Sequence, residues 1–198
     1  MLLIIHYVFR LNHINWIIIN MKLLDIFLEA TNQKFEYGCV MLYFDFPEIN
    51  KIQDAINPDD IYYETGDRSF GLKTNLTPHY ICLHKGVSTD DVKEVLDDFE
   101  YGDVLIGNVS LFENPQYDVL KFDVKGKNLH NTNEKLKEFP HTSNFPTYHP
   151  HLTIGYLKPG MGKKYVDMFK NITFKLTPKY AVYSKPDGDR DVLDINVG

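Results

Sequence analysis

Two short apolar segments that each follow a proline and begin with histidine constrain the fold of this chain more than any other feature. One reads HYICL from His79, and the other reads HLTIGYL from His151. Apolar runs of this length, rich in β-branched and aromatic residues, predict strands, and proline is tolerated at the start of a strand but not inside it. The segments fall in different halves of the chain, so each half is expected to contribute one strand that begins with a histidine.

The rest of the sequence alternates between strand-like and helix-like segments. Further strands are predicted at 37–46, 61–63, 103–112, 117–124, 172–176, 180–184 and 191–196. Helices are predicted at 22–31, from Pro47, after an N-cap at Ser88, at 128–138 and at 162–170. These assignments rest on apolar periodicity and capping signals, and the proline-rich stretch 139–150 is predicted to be a loop. The order predicts an α+β protein with two antiparallel or mixed sheets and helices outside.

The beginning of the chain differs from the remainder. Residues 1–20 are apolar but are interrupted by polar side chains such as Arg10 and Asn12, which disfavours a membrane span of about 20 residues. Met21 opens a segment, MKLLDIFLEA, with helical spacing. We therefore expect 1–20 to be an N-terminal extension and 21–198 to be a single domain. The alternative for the extension is an amphipathic helix packed on the surface.

Charge and cysteine content narrow the classes of function. The formal net charge is −6, which opposes binding to duplex nucleic acid but is compatible with a small nucleotide in a locally basic pocket. Cys39 and Cys82 lie in no CxxC or similar metal-binding spacing, so they suggest a reducing cytoplasm rather than a disulfide framework. We expect no cofactor, no membrane anchor and no obligate protein partner.

The second histidine segment carries side chains suited to proton transfer on a phosphate. In a strand, His151 and Thr153 face the same side while the leucine between them faces the core. An imidazole can move a proton near neutral pH, and a threonine hydroxyl can donate a hydrogen bond to a phosphate oxygen. The His-x-Ser/Thr pattern alone is weak, because a predicted loop segment at His141 also matches it. His149 and His151 could instead be zinc ligands, which the intervening proline and the lack of an evident third ligand disfavour.

Longer segments around these strands resemble the two-histidine (2H) phosphoesterase superfamily. The similar segments read YGCVMLYFDFP, INPDDIY, FPHTSNFPTYHPHLTIGYL and YSKPDG, and the resemblance as a whole covers roughly 21–198. Within the superfamily the chain most resembles phage anti-CBASS phosphodiesterases, which degrade the cyclic-oligonucleotide alarm signals of bacterial antiphage systems. The resemblance implies a bilobal fold in which two sheets face a central cleft. It also implies a metal-independent enzyme with His79 and His151 as acid–base pair and Thr153 as phosphate ligand.

The same resemblance implies a substrate and a setting. The expected reaction is cleavage of 3′–5′ linkages in a cyclic di- or tri-nucleotide, in the cytoplasm of an infected bacterial host if the chain is phage-encoded. A related enzyme acting on RNA 2′,3′-cyclic phosphate ends is one alternative. Tyr37 and Phe112 are candidates to stack on bases, although both are equally compatible with ordinary core packing. Tyr183 and Lys185 are further candidates for ligand contacts.

The first histidine segment departs from the family pattern, which has Ser or Thr two residues after the histidine. Here that position is Ile81, so a hydroxyl is missing and an apolar side chain is expected to face the cleft beside His79. Cys82 would face the cleft only if a β-bulge shifted the strand, and Thr77 is another substitute. The departure suggests a second alternative, a non-catalytic protein that captures a cyclic nucleotide without cutting it.

Overall fold

The computed structural model describes residues 35–64, 70–73, 79–143 and 146–198, with the backbone alone at 79 and 80. The strands are β1 (Gly38–Tyr43), β2 (His79–Leu83), β3 (Glu100–Tyr101), β4 (Val104–Glu113), β5 (Asp118–Gly126), β6 (His141–Thr142), β7 (His151–Leu157), β8 (Phe174–Leu176), β9 (Tyr180–Ser184), β10 (Arg190–Leu193) and β11 (Asn196–Val197). The helices are α1 (Ile49–Asp54), α2 (Thr89–Asp97), α3 (Leu129–Leu136) and α4 (Gly162–Phe169). The predicted extension 1–20 and the predicted helix 22–31 lie outside the described residues.

Two antiparallel sheets organise the molecule. The first sheet has the strand order β10-β9-β1-β2-β6, and the second has the order β7-β5-β4-β8. β3 and β11 form a separate parallel pair. The two histidine strands, β2 and β7, thus belong to different sheets, and the predicted α+β class is confirmed. Over the described part of the chain, no helix is long and apolar enough to cross a membrane.

Each main sheet buries one face under helices. In the first sheet Val40 and Leu42 are fully buried, and in the second sheet Leu152 and Ile154 are fully buried. Helix α3 packs against β2, α4 packs against β4 and β5, and α1 packs against β7. The residues that alternate with the buried ones are half-buried, so the opposite face of each sheet is the one that a ligand can reach.

Local signals in the sequence explain where the elements begin. A capping box starts α2, since Ser88 Oγ accepts from the Asp91 N–H at 3.1 Å and the Asp91 carboxylate accepts from the Ser88 N–H at 3.0 Å, as predicted. The stretch 139–150 differs from the predicted loop because it contains β6. Thr142 is paired there with Cys82, so this short strand covers the edge of the first sheet.

The outer edge of β7 is held by an irregular segment rather than by another strand. Leu72 forms an isolated β-bridge with Gly155, and the Gln53 side-chain amide donates to the Ile154 carbonyl at 3.1 Å. These bonds satisfy backbone groups that an edge strand would leave unpaired. β7 is therefore fixed on both sides, which gives the side chains that it carries a defined position.

Candidate active site

β7 presents His151 and Thr153 on the accessible face of the second sheet. Both residues are half-buried, whereas Leu152 and Ile154, which alternate with them, are fully buried. The alternation follows from the two-residue period of a strand, and the apolar pair anchors β7 in the core. The structure therefore places the imidazole and the hydroxyl on one face, in the arrangement that the sequence predicts.

A hydrogen bond fixes the tautomer of His151. Its Nδ1 lies 2.7 Å from the carbonyl oxygen of His149, and because a carbonyl only accepts, Nδ1 carries the proton. In the neutral ring the lone pair is then on Nε2. Burial lowers the pKa of His151, the hydrogen bond to His149 opposes that shift, and the charge of Lys121 adds to the lowering. His151 is therefore suited to accept a proton at Nε2 near neutral pH.

Two charged residues of β5 lie beside this pair. Lys121 is the register partner of Thr153, and Asp123 is the register partner of His151, so all four positions share a face. The Lys121 ammonium donates to the Asp123 carboxylate at 2.7 Å and to Ser110 Oγ at 2.7 Å. Lys121 is only 5% exposed. The buried Lys121 ammonium, paired with Asp123, thus lies beside His151 and Thr153 on the accessible face of the second sheet.

The Phe112 ring packs against both the His151 imidazole and the Lys121 ammonium. Its ring meets the His151 ring edge-on with 5.1 Å between centroids, and the Lys121 ammonium lies 4.5 Å from the same Phe112 centroid. An ammonium above an aromatic face is attracted by the ring quadrupole. The predicted residue Phe112 is therefore brought together with His151, while its role in stacking on a base stays a prediction.

A β-bulge in β4 adds Asn108 to the polar cluster formed by Lys121, Asp123 and Ser110. The register between β4 and β5 shifts between Gly107 and Val109, and Asn108 between them has a left-handed φ of 50°. The Asn108 amide donates to the Asp123 carboxylate, and Ser110 Oγ donates to it at 3.0 Å. Bulges are common next to active sites because they re-aim a side chain. Here the bulge supplies a donor that holds Asp123 in place.

The sequence analysis did not identify Lys121, Asp123 or Ser110 as site residues. A signal was present in β5, DVLKFDVKG, where two charged residues two positions apart interrupt an apolar strand. Burying a charge is unfavourable unless the charge is paired. Two such residues on one face of an otherwise apolar strand therefore mark a candidate functional site.

β2, in the other sheet, has an irregular register against β1. Cys82 is opposite Cys39, and His79 is opposite Met41. Three residue steps along β2 thus match two steps along β1, which defines a β-bulge between the two pairs. Paired positions in an antiparallel sheet share a face. Positions 79 and 82 therefore both belong to the accessible face of the first sheet, where Cys39 and Met41 are half-buried.

A solved structure shares this arrangement of sheets and helices. The chain is similar to the structure of Kluyveromyces marxianus Usb1 with uridine monophosphate, with a TM-score of 0.50 and 9% sequence identity, covering 84% of this chain and 99% of that chain. Usb1 has the two-histidine phosphoesterase fold. This chain has the same fold. No protein-family model matches the sequence, and no match is found among curated proteins.

Within this two-histidine fold, the structure corrects the expectation for Ile81. Ile81 is 7% exposed and belongs to the hydrophobic core, so it does not face the cleft. The physical reason is the bulge. It places an extra residue between positions 79 and 82, so that Cys82 rather than Ile81 shares the face of position 79. Cys82, whose side chain is exposed, shares the accessible face with position 79 instead.

The structure also corrects the expectation for Tyr183. This residue is fully buried, and its hydroxyl donates to the carbonyl of Val87 at 3.0 Å. It is the register partner of Val40, which faces the core, so Tyr183 is a packing residue rather than a ligand contact. Lys185 lies just after β9, where its ammonium is 3.3 Å from Asp191. A role for Lys185 in ligand binding stays a prediction.

Tyr37 lies at the border of the accessible face of the first sheet. It is half-buried, its hydroxyl donates to the Glu36 carboxylate at 2.8 Å, and its ring meets His84 edge-on at 5.0 Å. Base stacking by Tyr37 stays a prediction. Among the described residues, no group of three or more His, Cys, Asp and Glu side chains is arranged to hold a metal ion. His149, the second member of the alternative zinc pair, provides its backbone carbonyl to His151.

Proposed function

We propose that this protein is a metal-independent phosphodiesterase that cleaves a 3′–5′ linkage between nucleotides. The geometry around His151 carries the proposal. Nδ1 is bonded to a backbone carbonyl, so the lone pair of the neutral ring is on Nε2, and Thr153 and Lys121 lie on the same face. This set offers a base, a hydrogen-bond donor and a positive charge to a single phosphate group.

The proposed reaction begins with attack of the ribose 2′-hydroxyl on phosphorus. His151 Nε2 takes the hydroxyl proton, the O2′–P bond forms, and the P–O5′ bond breaks. His79 supplies the proton that the departing 5′-oxygen takes up. The products are a 2′,3′-cyclic phosphate and a 5′-hydroxyl, and water can then open the cyclic phosphate with the two proton-transfer roles exchanged. Each proton transfer contributes a rate factor of about 10²–10⁴.

Thr153 and Lys121 suit the charge that develops on the phosphate. The non-bridging oxygens become more negative as the 2′-oxygen attacks, so a hydroxyl donor and an ammonium stabilise the transition state more than the ground state. The Asp123 carboxylate and Ser110 Oγ hold the ammonium in position before the ligand arrives. Preorganised groups of this kind need little reorganisation during the reaction.

We further propose that the substrate is a cyclic di- or tri-nucleotide and that the protein counters cyclic-oligonucleotide signalling in an infected bacterial cytoplasm. The sequence segments that resemble phage anti-CBASS phosphodiesterases, which lie between 37 and 188, support this substrate. The net charge of −6 agrees with a small nucleotide better than with a duplex.

An enzyme that acts on RNA ends is the second candidate, and the fold likeness to Usb1 with uridine monophosphate favours it. The non-catalytic alternative remains open, because the family's Ser or Thr after the first histidine is absent from β2. The structure changes only which side chain stands in the hydroxyl's place, since Ile81 lies in the core and the exposed Cys82 shares the face with position 79.

The deciding experiment offers the purified protein a panel of cyclic oligonucleotides and of RNA oligomers with 2′,3′-cyclic phosphate ends, with EDTA present, and identifies products by mass spectrometry. We expect opening of a cyclic di- or tri-nucleotide and no effect of EDTA. Loss of turnover in EDTA that zinc restores would contradict the two-histidine mechanism. Cleavage of RNA ends alone would select the second candidate, and tight binding with intact ligand would indicate a capture protein.

A further inference from the structure

The two cysteines of the chain lie directly opposite each other on neighbouring strands. Cys39 on β1 and Cys82 on β2 are register partners in an antiparallel pair, and the sequence contains no other cysteine. Directly opposed residues in such a pair have Cα atoms about 4.5–5.5 Å apart. Disulfides span Cα separations of about 4.4–6.8 Å, so a bond between these two sulfur atoms needs no large backbone movement.

The two thiols differ in exposure and acidity. Cys82 is exposed and Cys39 is half-buried. The hydrogen bond from Cys39 lowers the pKa of Cys82 to about 7, whereas that same interaction, with burial, raises the pKa of Cys39. Thiolates rather than thiols react with oxidants, and an exposed low-pKa thiol next to a second thiol is the usual arrangement of an oxidation-sensitive pair. Cys82 is therefore the first to react, and Cys39 is placed to resolve the product.

The pair lies on the face that carries the first histidine strand. Cys82 is three positions after His79 in β2, immediately after the bulge. Its other neighbour in the sheet is Thr142 on β6, and Cys39 is flanked by Ser184 on β9. A covalent bond at this point acts on the strand whose irregular register places position 79.

We propose that Cys39 and Cys82 form a reversible disulfide that switches off the active site when the protein meets a hydroperoxide. The Cys82 thiolate attacks one peroxide oxygen, the O–O bond breaks, and Cys82 becomes a sulfenic acid while the peroxide leaves as an alcohol or as water. Cys39 then attacks the Cys82 sulfur, an S–S bond forms, and water leaves. Two thiols are oxidised, one hydroperoxide is reduced, and a dithiol reductant reverses the change.

The disulfide inhibits because of where it forms. It holds the two Cβ atoms about 3.5–4.5 Å apart, which ties β1 and β2 together next to the bulge. The oxidation chemistry is independent of the proposed phosphodiesterase function, whereas the loss of turnover rests on it.

The chemical step is tested on the full chain with hydrogen peroxide at neutral pH, followed by mass spectrometry. We expect wild type to lose the mass of two hydrogen atoms and to yield a peptide that joins Cys39 to Cys82. Cys39→Ser should stop at a sulfenic acid on Cys82, which dimedone traps, while Cys82→Ser should stay unlabelled under the same conditions. The absence of an internal disulfide in wild type, or faster labelling of Cys39 than of Cys82, would overturn the proposal.

The functional step compares turnover of the best substrate before oxidation, after oxidation and after dithiothreitol. We expect a reversible loss of at least tenfold in wild type and no loss in Cys39→Ser. A quantitative disulfide with unchanged turnover would overturn the switch. If the reduced protein cleaves no nucleotide, the proposed function fails separately, and the comparison uses binding of uridine monophosphate by the two redox states. Equal affinities would then refute the switch.

Discussion

Both strands that carry the motif histidines contain a β-bulge, but the bulges lie at different places. In β7 the register against β5 shifts after Thr153, so His151 and Thr153 keep the regular alternation of a strand. In β2 the shift lies between His79 and Cys82, inside the motif. A spacing of two residues therefore gives a shared face in β7, and a spacing of three gives a shared face in β2.

The difference shows that core packing overrides the local motif. Ile81 and Leu83 are both buried, and regular alternation would place His79 on their side of the strand. The extra residue lets the apolar pair enter the core, while position 79 is the register partner of Met41 on the accessible face. Four predictions test whether the two strands are equivalent in chemistry despite this difference.

The largest effect is expected for His151→Ala, which removes the proposed base. We expect kcat to fall about 10³-fold with little change in nucleotide affinity, because the proton transfer occurs only in the transition state. His79→Ala should abolish cleavage in the same way if β2 and β7 contribute equivalent halves of the site. Steady-state kinetics and binding titration of each variant provide the measurement.

His141→Ala is the matched control for that experiment. His141 also precedes a threonine and a serine, and its Nδ1 lies 2.9 Å from the carbonyl of Phe139 two residues earlier. It therefore reproduces the local pattern of His151 outside the proposed site. Its turnover should remain within about twofold of wild type. An equal loss in His141→Ala and His151→Ala would contradict the assignment of the base.

The next largest effect is expected from replacing Lys121, the buried lysine of the second sheet. Lys121→Met should lower kcat/KM about a hundredfold by removing charge that stabilises the phosphate. Asp123→Asn keeps the ammonium and should have a much smaller effect. If the Lys121–Asp123 pair only supported the fold, breaking it from either side would have similar consequences. Kinetics and melting temperatures of both variants separate the two roles.

The same two variants should shift the pH dependence in opposite directions. His151 must be neutral to act as base, so turnover falls as the pH drops through the pKa of His151. Burial lowers that pKa, and the positive charge of Lys121 lowers it further. Lys121→Met removes a positive charge, raises the pKa of His151 and moves the acidic limb to higher pH. Asp123→Asn removes a negative charge and moves it to lower pH. An NMR titration of His151 checks the assignment, and shifts of the same sign would refute it.

The sequence predicted β7 well because its pattern has one interpretation. His151, Leu152, Thr153 and Ile154 alternate between polar and apolar, and the structure buries only the apolar pair. The sequence could not locate the bulge in β2, because HYICL fits a regular strand locally and only the neighbouring strand fixes the register. The possibility of a bulge that turns Cys82 to the cleft was recognised, but the segment alone did not favour it.

The polar cluster was not predicted from the sequence, for a different reason. Lys121, Asp123 and Ser110 come from two strands, and their contact depends on the pairing of β4 with β5, which a single segment does not reveal. Tyr183 illustrates the opposite error, since it was predicted as a ligand contact although it is paired with a core residue of the neighbouring strand. The sequence thus predicted single strands, while contacts between strands required the structure.

The smallest change in turnover is expected from Ile81→Thr, which tests the register of β2 directly. Ile81 lies in the core, so a threonine there buries a hydroxyl and loses apolar contacts. We expect a loss of about 1–3 kcal/mol in the free energy of unfolding and a kcat within about twofold of wild type. Denaturant titration and steady-state kinetics give both quantities.

Cys82→Ser is the matched variant on the accessible face, and it should behave in the reverse way. Because Cys82 is exposed, its replacement should change stability by no more than about 0.5 kcal/mol. A serine hydroxyl is a stronger hydrogen-bond donor than a thiol, so a phosphate held at this face should be turned over a few times faster. If Ile81→Thr raised kcat and Cys82→Ser left it unchanged, β2 would alternate regularly like β7. The difference between the two histidine strands would then disappear.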